Sequence, residues 1–113
     1  MTISDFEALI EPASALLKAM ANPQRLKVLF LLAERELSVG QLESLIGLSQ
    51  SALSQHLARL RQDKLVRTRR DRQTIYYALN GETALTIMTA LAELHRPPAE
   101  AAISDDDGEC ACA

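Results

Sequence analysis

Residues 49 to 79, SQSALSQHLARLRQDKLVRTRRDRQTIYYAL, constrain the fold more than any other stretch of the chain. Ser49 can cap a helix over residues 50 to 63, on which Leu53, Leu57 and Leu60 recur at i, i+4 and i+7 and form one apolar stripe. With that stripe turned inward, Gln50, Ser51, Ser54 and Gln55 stand on the exposed side near the helix N-terminus. Residues 65 to 70 and 73 to 79 then read as strands, with Asp71-Arg72 at the tip; the second carries Thr74, Ile75, Tyr76 and Tyr77, all good strand formers. Such a helix must bury its leucines against something upstream, and the hairpin behind it must tolerate its own positive charge.

Both halves suit duplex DNA. Glutamine can bond adenine bidentately in the major groove, serine can give or accept a bond with several bases, and a helix N-terminus favours nearby phosphate. A polar helix face and a solvated hairpin are the plain alternatives. Against them, Arg67, Arg69, Arg70 and Arg72 crowd the strand and tip, and like charges that close cost free energy unless an anion balances them. Phosphate contact is therefore expected there. Arg59 and Arg61 point away from the leucine stripe and can hold the DNA backbone at the far end of the helix. His56 is expected to pack at the edge of the core.

The charge distribution fits better than its sum. Over 113 residues the net charge is −3, yet residues 59 to 72 hold seven basic side chains against Asp63 and Asp71. Residues 97 to 113 hold five acids and no base, so the remainder has twelve basic and ten acidic residues, a net +2. A basic patch on a near-neutral body is compatible with nucleic-acid binding. The length suits one small domain, and with no Trp and 4% aromatics its core must be aliphatic. No apolar run reaches the ~18 residues a membrane span needs, and no basic region precedes an apolar stretch at the start. A cytoplasmic location is expected. No enzyme is expected, because His56 and His95 have no evident catalytic partners.

Upstream, Phe6, Leu9, Ile10, Ala13, Leu16, Leu17 and Met20 recur at threes and fours over residues 4 to 21, with Ser4 as cap and Pro12 as a kink or restart. Asn22-Pro23 opens a second helix over 23 to 34, whose dense apolar run implies burial on most sides. Ser38 with Gln41 forms a capping box for a short third helix over 39 to 46, and Gly47 supplies a left-handed stop. Gly47-Leu48-Ser49 is then the turn of a helix-turn-helix. After Asn80-Gly81, residues 82 to 95 form a last helix that ends at Pro97-Pro98. The expected fold is mainly α with a small β-hairpin: a winged helix-turn-helix of about five helices plus a two-stranded wing over residues 1 to 96, with residues 97 to 113 an acidic, disordered tail.

The runs LLKAMANPQRLKVLFLL, ELSVGQLESLIGLSQSALSQHLARLRQDKLV and TRRDRQTIYYAL strongly resemble the ArsR/SmtB family of bacterial winged-helix repressors, in particular its branch of nodulation-gene and haemolysin-gene regulators. The match covers about residues 10 to 96. The resemblance implies a homodimer on an inverted-repeat operator in double-stranded DNA, with Gln50, Ser51, Ser54 and Gln55 at base-reading positions and the arginine hairpin as the wing. It also implies a dimer interface on the first and last helices. Surplus apolar surface on Phe6, Leu9, Leu16, Met88, Leu91 and Leu94 agrees.

The signal is less legible. Ser38 and Gly40 stand where many members of the family carry metal-binding cysteines, and Phe30 stands where the haemolysin-regulator branch has a redox cysteine. Glu82, Glu93 and His95 do not reproduce the family's site on the last helix. The only cysteines are Cys110 and Cys112, a C-x-C able to chelate arsenite, antimonite or another soft metal ion with a further ligand from elsewhere. Release from DNA by a thiol-reactive signal at that pair is one expectation. A ligand-free repressor, or a redox- or sulfur-responsive one, is the alternative.

Overall fold

A computed structural model describes residues 2–96. The elements in chain order are helix α1 (Ile3–Met20), α2 (Pro23–Glu34), strand β1 (Leu37–Ser38), α3 (Val39–Ile46), α4 (Gln50–Gln62), β2 (Val66–Asp71), β3 (Thr74–Leu79) and α5 (Thr83–His95). Local chemistry explains most boundaries. Asn22 Oδ1 accepts from the N–H groups of Gln24 and Arg25 and starts α2. Ser38 and Gln41 exchange capping bonds at the start of α3, and Gly47 closes it at φ +82° with its N–H on the Glu43 carbonyl.

The core is the expected aliphatic one. Leu53, Leu57 and Leu60 of α4 meet Val28, Leu29 and Leu32 of α2, Leu42 of α3, and Leu65 and Val66 at the root of the hairpin. Ala84 and Met88 of α5 close it.

Three expectations need correction. Thr2, not Ser4, caps α1, because Thr2 and Asp5 form a capping box two residues earlier. The helix does not restart at Pro12 but runs on to Met20, although Pro12 has no N–H to give to the Ala8 carbonyl. The α2 run is buried around most of the helix as expected, with Val28, Leu29 and Leu32 in the core and Leu26 and Leu31 packed against it, and Phe30 is 44% exposed. The sheet has three strands in the order β1-β3-β2, not two. Leu37 pairs with Tyr77 and Ser38 with Tyr76. That strand is a by-product of position: Leu37 is buried in the core, and Ser38 must be extended to cap α3.

The wing tip also lies one residue later than expected. Asp71 pairs with Thr74, which leaves Arg72-Gln73 as a two-residue loop, with Arg72 at φ +62°. Lys64 is left-handed too, at the same φ, in the turn that ends α4. There the Lys64 N–H bonds the Arg61 carbonyl at 3.0 Å and the Leu65 N–H bonds the Leu60 carbonyl at 2.9 Å. This pair of bonds is a Schellman ending with lysine where glycine is usual. No described helix is long and apolar enough to cross a membrane.

Candidate nucleic-acid interface

Ser49 is extended, and its Oγ accepts from the Ala52 N–H at 3.2 Å, so α4 begins with its first polar residues already turned outward. With Leu53, Leu57 and Leu60 buried, Gln50, Ser51, Ser54 and Gln55 are all exposed. At about 100° per residue they spread across the outer face. Gln50 and Ser54 share the seam nearest the wing with Arg61, while Ser51 and Gln55 point straight outward, opposite the leucine stripe. An open groove of about 540 Å³ runs between that seam and the hairpin, lined by Gln50, Ser54, Gln73, Thr74, Ile75 and Tyr77 among others. It continues past Ala58 and Arg61.

The pleat divides the wing arginines that sequence alone treats as one group. Successive residues of a strand point to opposite faces. Val66, Thr68 and Arg70 share the face of their partners Leu79, Tyr77 and Ile75, the face toward the groove. Arg67 and Arg69 take the other face, opposite Ala78 and Tyr76. Arg67 Nε donates to the Leu79 carbonyl at 3.2 Å. Arg69 donates twice to Glu36, from Nε to Oε2 at 3.1 Å and from Nη2 to Oε1 at 2.7 Å. Its guanidinium also sits 4.5 Å from the centre of the Tyr76 ring. Bonding from Arg69 holds the Glu36 carboxyl below the ordinary carboxylate range, so the pair is ionised at neutral pH.

Arg59 is likewise engaged, through Nε to Asp63 at 2.7 Å. Among the described residues Arg61, Lys64, Arg70 and Arg72 have no carboxylate partner, and all four are exposed. Lys64 is the basic residue that reading by strand and helix leaves out of the site, because it belongs to neither. His56 is half-buried at the core edge as expected, with Nδ1 3.5 Å from Arg25 Nη1. Arg25 also donates to the Ala19 carbonyl at 2.6 Å and the Lys18 carbonyl at 3.2 Å, capping the end of α1.

Of the residues assigned to subunit contact, Phe6, Leu9 and Leu94 are 51%, 45% and 77% exposed, and Leu16 and Leu91 are half-buried. Met88 is corrected: at 1% exposure it belongs to the protomer's own core, because its turn of α5 faces α2. Ile3, Ile10 and Leu17 on α1 are exposed apolar residues that the assignment omitted. Cys110 and Cys112 lie outside the described residues. Among the described residues no three His, Cys, Asp or Glu side chains gather into a metal-binding group.

Known proteins share this arrangement. Residues 22–68 match the family described as "Bacterial regulatory protein, arsR family". Nodulation protein NolR of Rhizobium meliloti is 52% identical over 85 residues, which cover 75% of this chain and 70% of that protein. The transcriptional activator HlyU of Vibrio cholerae is 47% identical over 95 residues, covering 84% and 88%. The crystal structure of NolR from Sinorhizobium fredii superposes with a TM-score of 0.76 at 47% identity, over 84% of this chain and 94% of that one. The winged helix-turn-helix and these matches together establish that the chain is a transcriptional regulator belonging to the arsR family of bacterial regulatory proteins.

Proposed function

We propose that the chain is a repressor that binds an inverted-repeat operator in duplex DNA as a homodimer, with α4 in the major groove and the wing on the flanking backbone. The observation that carries this reading is the groove shared by the outward start of α4 and the inner wing face, with the exposed Arg61 in its lining. Gln50, Ser51, Ser54 and Gln55 read bases. Arg61, Lys64, Arg70 and Arg72 neutralise phosphates. The test is binding to DNA from upstream of the chain's own gene over a range of salt. Replacing Gln55 with alanine should cost about 1–3 kcal/mol on the best site and much less on random duplex. Equal losses on both would remove Gln55 from base reading.

For release, the pair Cys110 and Cys112 supports capture of a strongly thiophilic species such as arsenite or antimonite. Five nearby acids oppose thiolate formation, which disfavours fast peroxide sensing. The double variant Cys110→Ser, Cys112→Ser should hold the operator in the presence of an ion that frees the parent chain. If the variant is freed as readily, the cysteines are not the sensor. If no ion or oxidant frees the parent, the ligand-free repressor is the better description.

A further inference from the structure

We infer that Arg69 is a positioning residue of the wing, strapped to Glu36, and not one of the wing's phosphate contacts; the inference rests on the DNA-binding reading above. The strap crosses the whole sheet. Arg69 stands on β2 at one edge, Tyr76 on β3 in the middle, and Glu36 immediately before β1 at the other edge. The guanidinium lies over the Tyr76 ring at 4.5 Å and reaches both oxygens of Glu36 beyond it. A fork geometry of this kind fixes direction as well as distance.

The strap's position shows what it does. A two-stranded ribbon is marginal alone, and past Thr68 both faces of this hairpin lack buried residues. A half-exposed ion pair adds little stability by itself. It does set the angle at which the ribbon leaves the core, because Glu36 sits between the end of α2 and a strand anchored by Leu37. Arg70, one residue on, faces the groove and has no such partner among the described residues.

The experiment compares salt dependence and charge reversal in the full chain, on operator and random duplex. Arg70→Gln should flatten the log–log salt slope by about 0.9, the loss of one phosphate contact. Arg69→Gln should leave the slope unchanged and lower operator affinity about tenfold, within the range over which touching residues couple. Glu36→Arg adds a positive charge yet should weaken operator binding, and Glu36→Arg combined with Arg69→Glu should recover most of the loss. A slope flattened by Arg69→Gln as much as by Arg70→Gln overturns the inference. So does a Glu36→Arg chain that binds operator more tightly, or a reversed pair no better than its singles. Failure of the parent chain to bind any duplex would sink the DNA-binding reading instead. The strap is then read from amide exchange of β2 and β3 in the free protein, which should quicken in each single reversal and slow again in the double. Unchanged exchange in the singles overturns it.

Discussion

Phe6→Glu is expected to leave the chain folded but monomeric, and to lower its affinity for a two-half-site operator by about 10²–10⁴, the range gained when two linked modules bind together. The reason lies in how little of α1 the protomer uses. Every residue from Thr2 to Ala13 is exposed, and the helix is buried only at Ala19 and Met20. Ile3, Phe6, Leu9, Ile10 and Leu17 are left outward, with Leu94 of α5 exposed as well. A carboxylate set into a face that closes on a second copy would be buried without a partner. Because Phe6 lies outside the core, the melting temperature at low concentration should barely move. Sedimentation of the parent chain at micromolar concentration gives the decisive result: a monomer would remove the basis for a paired operator.

The second large effect concerns stability. Leu53→Ala should cost about 2–5 kcal/mol in urea unfolding, the range for a leucine deleted from a packed core. Small domains hold only about 5–15 kcal/mol in total, so this variant should be partly unfolded at physiological temperature. Leu53 is fully buried and one turn from Gln50, so the stripe that anchors α4 also aims its reading face. Ser51→Ala, on the exposed side of the same turn, should change stability by less than about 0.5 kcal/mol. A similar cost for the two would mean that α4 is not anchored through its leucines.

What could be read beforehand was what local chemistry decides. The caps at Asn22, Ser38 and Ser49, the left-handed stop at Gly47 and the leucine stripe of α4 each depend on residues within one or two turns. The misses depend on distant partners. Glu36 and Arg69 are thirty-three positions apart, and nothing in either neighbourhood announces the pairing. β1 has two residues, too few for any propensity to register, and exists because Tyr76 and Tyr77 arrive beside it. Met88 looked like one more apolar residue on an amphipathic helix, and only the docking of α5 decides which of its apolar side chains turn inward. At the start of α1 the reading by Ser4 misses the capping box that Thr2, two residues earlier, forms with Asp5.

The joint between α4 and the hairpin sets how regulation must look from outside. Leu65 is tied back to Leu60, the Asn80 N–H bonds the Leu65 carbonyl at 3.0 Å, and the Asn80 side-chain amide bonds the Lys64 carbonyl at 3.0 Å. Only Asp63, Lys64 and Leu65 separate α4 from β2, and Lys64 is held on both sides. The root of the hairpin therefore follows α4, and a turn of the helix turns the base of the wing with it, while the Arg69–Glu36 strap holds its outer part to the end of α2. On the proposed homodimer, a graded response would then come from the spacing between two such units, one mechanical variable for any effector to act on.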